Sequence, residues 1–332
     1  MKLIIQIPCL NEREHLGETL RDLPRSIPGI TSIEVLIIDD GSTDGTSEVA
    51  AQLGVHHIVR FPRNRGLAAA HMAGLDAALR IGADIVVNTD ADNQYKGSDI
   101  HKLVEPILAG QADLVVGDRQ TDQIAHFSVL KRTLQRWGSR AVRMASKTSV
   151  ADSTSGFRAY NRRAALSLFV HNRFSYTLET LIQAGHSGLH VTNAKIGTNP
   201  KTRESRLFKS IPDYLKKSGP VILRAYAIYS PVRTFGYLAV LPLLIGFGLC
   251  GNFLIRYLQD PSYNGHVQSL LAGVGSILFG FLILLLAVLS SLFATNRRLL
   301  EEVLLRVRRL ESGSQVGHSV RDVVHTGAAP WI

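Results

Sequence analysis

The sequence predicts an α/β domain built on a largely parallel β-sheet, followed by two membrane-spanning helices. Two observations support this prediction. Residues 1–118 alternate short β-rich runs with helical patterns, and two long runs near the C-terminus contain no charged residue. Strands and helices that alternate at this spacing indicate βαβ units, whose strands lie parallel in one sheet.

The α/β part contains five β-rich runs. They are nearly unbroken apolar stretches, as expected for strands that helices cover on both faces, and they read LIIQIP, EVLIID, HHIVR, DIVVNTD and DLVVGDR. Between them, the spacing of apolar residues predicts a helix through Leu16 and Leu20 and helices over residues 46–53, 67–80 and 100–109.

Charge and apolar content both change in the C-terminal third of the chain. The 332 residues include 37 basic and 27 acidic ones, and 45% are hydrophobic. Residues 200–332 contain 15 basic and 7 acidic residues, whereas residues 1–199 contain 22 and 20. This composition excludes a disordered or acidic chain and indicates a membrane protein whose positive charge lies beside its apolar runs.

The two uncharged runs, residues 235–254 and 267–294, are each long enough to cross a bilayer, since about 20 helical residues span the hydrocarbon core. Basic residues precede the first run and follow the second. The positive-inside rule therefore predicts a helical hairpin in the inner or plasma membrane, with the α/β domain and both termini in the cytoplasm. Residues 206–233 mix aromatic, apolar and basic side chains, which predicts amphipathic helices in the headgroup plane. For the two apolar runs, the alternative is a pair of buried helices in a soluble core. For residues 206–233, the alternative is an ordinary solvated helix.

Polar residues follow every predicted strand of the α/β part. They read PCLNE, DDGSTDGT, RNRG, DADNQ and GDR in chain order. Ligands of such sheets bind outside the carboxyl ends of the strands, so these loops are expected to form one site. No GxGxxG follows the first strand and no GxxxxGK[ST] occurs in the sequence. A nicotinamide or flavin site of the Rossmann type and a Walker-A kinase or ATPase are therefore excluded.

The DADNQ segment predicts a metal site. Asp90, Asp92 and Gln94 alternate along the chain where it leaves a strand, and alternate residues of an extended segment project to one side. Two carboxylates and an amide oxygen suit a hard divalent cation, Mg²⁺ or Mn²⁺. Such a cation neutralises a diphosphate as a leaving group. The alternative is an acidic turn that only solvates its loop.

Several motifs occur together in the register of a known family. PCLNE, DDGSTDGT, NRGLAAA, DADNQ, GDR and TSGFRAY stand in the order and spacing of inverting family 2 glycosyltransferases with the GT-A fold. With its C-terminal hairpin, the chain resembles the dolichol-phosphate mannose synthase and polyprenyl-phosphate glycosyltransferase branch. The resemblance implies a Rossmann-like GT-A domain with a mostly parallel sheet. We accordingly predict a catalytic domain over residues 1–205, amphipathic interfacial helices over 206–233, a transmembrane hairpin over 234–296, and a basic cytoplasmic helix with a flexible tail over 297–332.

The resemblance also implies roles for individual residues. Residues that match the nucleotide-sugar site are Pro8, Asn11, Glu12, Asp39, Asp40, Asp90 and Arg203. Asp39 matches an acceptor for a base nitrogen, and Asp40 a support of its loop. Residues that match the metal site are Asp90, Asp92 and Gln94.

Two further groups match by resemblance. Residues that match the catalytic group are Asp92, Arg119 and Arg132, and a planar guanidinium suits the donor diphosphate or acceptor phosphate. Residues that match the acceptor side are Gly156, Arg158, Ser205 and Arg206. The sequence departs from the family's R-x-G-S-K stretch at Glu204 and Arg206, which leaves the register there open. Glu179 stands where many relatives have a catalytic acid, and its role stays open.

The implied reaction moves a hexose of the mannose or glucose type from a GDP- or UDP-linked donor to dolichyl or undecaprenyl phosphate. The acceptor phosphate is already an anion at pH 7, so it needs positioning and charge balance more than a general base. One alternative is a hydroxyl acceptor, as in glycolipid or polysaccharide synthases; their QxxRW motif has its nearest match in TLQRW, residues 133–137. Another is a catalytically silent membrane scaffold.

The expected partners follow from these predictions. They are the sugar donor, the polyprenyl phosphate and the bilayer. No nucleic-acid partner is expected, because the basic residues flank the spans and lack interleaved aromatics. The sequence leaves open the sugar, the base, the choice between Mg²⁺ and Mn²⁺, and the oligomeric state, including a homo-oligomer.

Overall fold

A computed structural model of the protein describes residues 1–120, 143–144, 146–170, 176–200, 231–259, 267–313 and 323–325. The chain divides into two units. One is an α/β unit made of Met1–Val221 and Leu304–Ile332, and the other is Ile222–Val303. Interfacial helices were predicted over residues 206–233. Of these, residues 206–230 lie outside the described part of the chain.

The described residues form eight strands in a single sheet. The strands are β1 (Lys2–Cys9), β2 (Ser32–Asp39), β3 (His57–Arg60), β4 (Ile85–Asn88), β5 (Leu114–Asp118), β6 (Arg158–Asn161), β7 (Val191–Lys195) and β8 (Val323–His325). Their order is β7-β5-β6-β4-β1-β2-β3-β8. β1 pairs in parallel with β2 and β4, β2 with β3, and β5 with β7. The predicted mostly parallel sheet is confirmed.

Two strands run against this direction. β6 pairs antiparallel with β4 and β5, and β8 pairs antiparallel with β3. β6 begins within the TSGFRAY motif, in which the sequence predicted residues of the acceptor side and no strand. Because β6 is antiparallel, it starts at the edge where the parallel strands end. The loop before β6 therefore lies beside the loops that carry the predicted site.

In the described residues, six helices cover the two faces of the sheet, and two longer helices follow them in the chain. They are α1 (Leu16–Asp22), α2 (Thr46–Gln52), α3 (Leu67–Arg80), α4 (Ile100–Leu108), α5 (Arg162–Ser167), α6 (Thr177–His186), α7 (Pro231–Gln259) and α8 (Val267–Gly313), with a 3₁₀ turn at Gly97–Asp99. The helix predicted over residues 67–80 has the predicted bounds, and those predicted over 46–53 and 100–109 end one residue earlier.

Alternation along the strands builds one core on each face of the sheet. In β1, Leu3, Ile5 and Ile7 join the core beneath α1, α2 and α4, whereas Ile4 joins the core beneath α3, α5 and α6. Successive side chains of a strand point to opposite faces, so an unbroken apolar run supplies both cores. With both faces covered by helices, the polar ends of the strands are left as the place for a ligand.

Arg308, near the end of α8 and itself part of the α/β unit, contacts two other helices of that unit. The Nη2 atom of Arg308 lies 3.3 Å from Oδ1 of Asp76 on α3. Its Nη1 atom donates hydrogen bonds to the carbonyl oxygens of Leu166 and Leu168, at 3.3 and 3.0 Å. These groups come from the end of α5, so Arg308 joins α3 and α5 on one face of the sheet.

A short strand in the predicted flexible tail covers the edge of the sheet. β8 pairs with β3 over three residue positions, with His325 opposite His57 and Val323 opposite Val59. β-branched valines favour the extended backbone, and β3 would otherwise present an open edge. This part of the tail is therefore a strand.

In the described ranges, two helices are long and apolar enough to cross a membrane: α7 and the part of α8 up to Arg308. They pack through small residues. A Cβ added to Gly246 would lie 2.7 Å from the carbonyl oxygen of Gly273. Ser276 donates a hydrogen bond to the carbonyl of Pro242, at 2.8 Å. Close approach at glycines and interhelical hydrogen bonds are typical of membrane helix pairs.

Candidate active site

The loops after β1 and β2 hold each other in place. The N–H of Asn11 donates to Oγ of Ser42 at 2.9 Å, and the N–H of Thr43 donates to Oδ1 of Asn11 at 2.9 Å. Asn11 has a φ of 54°, in the left-handed region that asparagine tolerates better than most residues. The N–H of Glu12 donates to Oγ1 of Thr46 at 3.0 Å, and its side chain is buried. Asn11 and Glu12 thus lie where the sheet edge meets α2.

Asp39, the last residue of β2, is fully buried. Its carboxylate accepts hydrogen bonds from the N–H of Ser42, at 2.7 Å, and from the hydroxyl of Ser47. Both oxygens are therefore engaged within the protein. These bonds make Asp39 the anchor of the turn that leads to α2, and its predicted contact with a base nitrogen stays a prediction. Pro8 is buried next to it in β1, opposite Ile38.

Asp40 links two loops of the predicted site. Its Oδ1 accepts from the N–H of Arg65 at 2.7 Å, and its Oδ2 accepts from the N–H of Gly66 at 2.9 Å. Burial raises the pKa of this carboxyl. Gly66 has a φ of 94° and immediately precedes α3, so a glycine suits this turn. Asp40 therefore links the end of β2 to the turn before α3.

The DADNQ segment turns as soon as it leaves β4. Asp90 and Asp92 are both partly exposed beyond the strand end. Oδ1 of Asp92 accepts a hydrogen bond from the N–H of Gln94 at 3.3 Å, and Asn93 has a φ of 54°. The expected extended alternation of residues 90, 92 and 94 is thus wrong, because the chain forms a turn. The carbonyl of Gln94 accepts from the N–H of Asn199 at 2.9 Å.

The two carboxylates fit a magnesium or manganese ion. Within the residues that the structure describes, no group of three or more His, Cys, Asp or Glu side chains is arranged to hold a metal. Mg²⁺ is commonly bound by one or two carboxylates together with water and substrate phosphates. Asp90 and Asp92 meet that requirement, since they are hard oxygen donors at a partly exposed edge. The donor set suits a cation that arrives with a diphosphate.

Arg119 follows β5 and is held by a loop before β6. Its Nε and Nη2 atoms donate to the two oxygens of Asp152 at 2.7 and 3.0 Å, and Nη2 also donates to Oγ1 of Thr154 at 2.9 Å. Burial raises the pKa of Asp152, but the hydrogen bond and charge of Arg119 outweigh it, and the pKa is lowered overall. Burial lowers the pKa of Arg119, but its interactions with Tyr95, Asp152 and Asp90 outweigh this effect, and the pKa is raised overall.

Gly156 lies against the carboxylate of Asp90, a predicted metal ligand. A Cβ added to it would be 3.2 and 3.3 Å from the two oxygens of Asp90, and 2.9 Å from the hydroxyl of Tyr176. Any larger residue would push into these groups. Asp90 from β4, Arg119 from β5 and the loop before β6 therefore meet at one edge of the sheet.

Arg158, predicted on the acceptor side, is fully buried. Its guanidinium donates to the carbonyl oxygens of Ser155, Ser153 and Thr177, at 2.8, 2.9 and 2.9 Å. It also donates to Oγ1 of Thr180 at 2.7 Å. Arg158 thus shapes the loop before β6 from the inside, and we assign it that positioning role.

Several predicted residues lie outside the described part of the chain. They are Arg132, Arg203, Ser205 and Arg206, as well as the TLQRW string. Glu179 lies in the first turn of α6 and is partly buried. Asp152 was not predicted as a site residue, and its only sequence signal is that it lies two residues before the TSGFRAY motif.

One known protein family matches the first half of this chain. Residues 4–169 match the model of the family Glycosyl transferase family 2.

The chain belongs to glycosyl transferase family 2.

Two relatives and one solved structure describe this family 2 glycosyltransferase further. It is 27% identical over 206 residues to polyprenol monophosphomannose synthase of Mycolicibacterium smegmatis, covering 59% of this chain and 76% of that protein. It is also 27% identical over 312 residues to glycosyltransferase AglJ of Haloferax volcanii, covering 92% of this chain and 97% of that protein. The second match includes the C-terminal hairpin.

The glucosyl-3-phosphoglycerate synthase of Mycobacterium tuberculosis has been solved with Mn²⁺, UDP-glucose and phosphoglyceric acid. This family 2 glycosyltransferase matches it with a TM-score of 0.52 and 20% identity, over 68% of this chain and 79% of that one. At this identity the likeness shows the fold alone. The predicted GT-A fold is confirmed.

Proposed function

We propose that this family 2 glycosyltransferase moves a hexose from a nucleotide-diphosphate sugar to a polyprenyl phosphate, with inversion, at the cytoplasmic face of the inner or plasma membrane. One observation carries the proposal. Asp90, Asp92 and an anchored Arg119 lie together at the carboxyl edge of the sheet. The name of the mycobacterial relative, a polyprenol monophosphomannose synthase, supports the acceptor.

The donor would lie across the loops after β1, β2 and β4. Pro8, Asn11 and Glu12 would line the nucleotide, while Asp39 and Asp40 hold the loops that shape this region. Asp90, Asp92 and Gln94 would hold Mg²⁺ or Mn²⁺, which supplies charge neutralisation of the departing diphosphate. Arg203 would add a further contact to the donor.

The acceptor phosphate would bind on the side of Arg119. With one edge of its guanidinium engaged by Asp152, the opposite edge can donate to phosphate oxygens. Arg132, Ser205 and Arg206 would complete the phosphate contacts, and Gly156 leaves room beside Asp90. The phosphate attacks the anomeric carbon directly as an anion, so orientation and charge balance supply most of the catalysis.

The hairpin supports the choice of acceptor. A polyprenyl chain is confined to the bilayer, and its phosphate lies at the headgroup level. α7 and α8 would hold the enzyme at that membrane, and the basic residues that flank them favour a cytoplasmic catalytic unit. Residues 206–233 would lie along the headgroups between the two.

The test is an assay of membranes that contain the protein. A panel of radiolabelled GDP- and UDP-sugars is mixed with undecaprenyl or dolichyl phosphate, and transfer of label to the organic phase is measured with Mg²⁺, with Mn²⁺ and in excess chelator. We expect transfer from one donor that chelator stops and that the Asp92→Asn variant lacks. Transfer only to a water-soluble alcohol, or full activity in chelator, would contradict the proposal.

A silent scaffold is distinguished by ligand binding. Thermal unfolding of the purified protein is followed with Mn²⁺ plus UDP or GDP, since a ligand that binds only the folded state raises its stability. The enzyme should be stabilised by one of these pairs, whereas a scaffold should respond to neither.

A further inference from the structure

Two buried tyrosines hold the backbone of Gly156 from both sides. The N–H of Gly156 donates to the hydroxyl of Tyr95 at 3.0 Å. The hydroxyl of Tyr176 donates to the carbonyl of Gly156 at 3.2 Å. Both tyrosines are almost completely inaccessible to solvent. Every backbone hydrogen-bonding group of this glycine is thus held by a side chain from another part of the chain.

An amide from the end of β4 joins the same contact. Nδ2 of Asn88 donates to the carbonyl of Gly156 at 2.8 Å and to the hydroxyl of Tyr176 at 2.9 Å. Its Oδ1 accepts from Nε2 of Gln6 at 2.9 Å. Asn88 is two residues before Asp90. The network therefore ties the strand that carries the metal-site carboxylate to the loop that faces it.

An imidazole supports the network from α3. The ring of His71 stacks on Tyr176, with 3.8 Å between ring centres and 6° between planes. Its Nδ1 lies 2.9 Å from Nε2 of Gln6 and 3.1 Å from Oδ1 of Asn88. Tyr95 in turn stacks on Phe157, with centres 5.0 Å apart. Each tyrosine ring is fixed by a second aromatic group, so the position of its hydroxyl is well defined.

The loop that these hydroxyls hold touches both sides of the site. At one end, Asp152 and Thr154 bind the guanidinium of Arg119. At the other end, Gly156 lies against the carboxylate of Asp90. A shift of this loop would therefore change the placement of the arginine and of the carboxylate together.

We propose that Tyr95 and Tyr176 are positioning residues, whose hydroxyls set the loop over residues 152–156 and thereby fix Asp90 relative to Arg119. The inference rests on the proposed function for the roles of Asp90 and Arg119. Both tyrosines are buried, and each hydroxyl bonds to the backbone of Gly156. Their effect passes through the backbone of Gly156.

The test uses the full-length protein in detergent, with Tyr95→Phe, Tyr176→Phe and the double variant. Each single change removes one hydroxyl and retains the ring. The matched control is Tyr160→Phe: this tyrosine is also fully buried and its ring centre lies 5.6 Å from that of His71, but its hydroxyl is not a described partner of Gly156. Binding of Mn²⁺ in the presence of UDP or GDP is measured by electron paramagnetic resonance, beside kcat, KM and thermal unfolding.

We expect each single variant to weaken Mn²⁺ binding by about tenfold, as for the loss of one buried hydrogen bond. The double variant should lose more, and the Tyr160→Phe control should bind as wild type does. Wild-type Mn²⁺ affinity in Tyr95→Phe and Tyr176→Phe would overturn the inference. An equal loss in Tyr160→Phe would also overturn it, because the effect would then not depend on the two hydroxyls that hold Gly156.

The outcomes separate this inference from the proposed function. If wild type binds Mn²⁺ and the two variants lose binding, but no sugar reaches polyprenyl phosphate, the acceptor assignment fails and the positioning role stands. If transfer occurs and the variants match wild type, the positioning role alone fails. A wild-type protein that binds no Mn²⁺ with either nucleotide overturns both.

Discussion

Arg119 and Asp152 are paired through both oxygens of the carboxylate, with Nε and Nη2 of the arginine at 2.7 and 3.0 Å. The aspartate side chain is 5% exposed and the arginine side chain 27%. The buried carboxylate therefore anchors the guanidinium, and part of the arginine side chain remains accessible. A preoriented guanidinium loses less entropy when it binds a phosphate than a mobile one does.

We expect Asp152→Asn to lower kcat/KM by about tenfold to hundredfold. The amide keeps the shape of the side chain, but it removes the negative charge and one of the two acceptors for Arg119. The loss is measured with saturating metal at several acceptor concentrations, and it should appear mainly as a raised KM for the acceptor.

A matched control for this change is Asp113→Asn. Asp113 is also buried and lies near a basic side chain, with its Oδ2 atom 3.5 Å from Nη1 of Arg163. It lies one residue before β5, at the opposite end of the strand from Arg119. This variant should lose stability and keep its kcat/KM. An unchanged KM in Asp152→Asn would show that Arg119 is not a phosphate ligand.

Asp92→Ala should abolish transfer, a loss of at least about 10³-fold, because the cation and the departing diphosphate would lose a shared ligand. Glu179→Gln should remain within about tenfold of wild type, well short of the 10²- to 10⁴-fold that a general base contributes. Initial rates of label transfer measure both. An equal collapse of the two variants would instead indicate a catalytic base and a hydroxyl acceptor.

Gly156→Ala should reduce kcat/KM by at least about tenfold, because the added methyl group overpacks the contact with Asp90 and Tyr176. The clash distances of 2.9–3.3 Å leave little room for relaxation. The comparison is Gly17→Ala in α1, where a Cβ would meet its nearest atoms at 3.7 and 3.8 Å. This second variant should retain activity and unfold no earlier than wild type.

His71 should make the folded state sensitive to acid. Burial lowers its pKa from 6.5 to about 3, so between these values the unfolded chain takes up a proton that the folded chain does not. Stability should therefore fall as pH drops below 6.5, by about 1.4 kcal/mol per pH unit. Above 6.5 both states are neutral and the effect vanishes.

The measurement compares thermal unfolding at about pH 7.5 and about pH 5.5. His71→Gln, which cannot titrate in this range, should show a smaller acid-induced decrease in the unfolding temperature than wild type does. His101→Gln, at an exposed position of α4, serves as the comparison and should behave as wild type. Identical pH dependence in wild type and His71→Gln would mean that the ring is protonated within the fold.

Much of the fold could be predicted from local pattern. α3 has a helical repeat of apolar residues between Gly66 and Gly82, and its predicted bounds are those observed. β6 could not be predicted in this way. Its four residues, Arg158–Asn161, do not form a β-rich run. They form a strand because they lie between β4 and β5 and pair with both.

The candidate site likewise has a part that could be predicted from the sequence and a part that could not. The loops that carry Asp90 and Arg119 follow recognisable strands, so their meeting at one edge could be predicted. The groups that hold Gly156 come from residues 88, 95 and 176, which lie 68, 61 and 20 positions from it along the chain. No rule of sequence spacing links such positions, because only the folded sheet brings them together. The burial of Asp39 could not be predicted either, since a carboxylate at a strand end can face outward or inward.

The pairing of β8 with β3 bears on any attempt to obtain the catalytic domain as a water-soluble fragment. Cutting the chain before the hairpin removes the strand and leaves the N–H and C=O groups of β3 exposed as an edge that other copies can extend. Such a fragment would tend to aggregate even though its active-site loops are intact. Fusing residues 320–326 behind a short glycine-serine linker would restore the missing neighbour and keep the fragment monomeric.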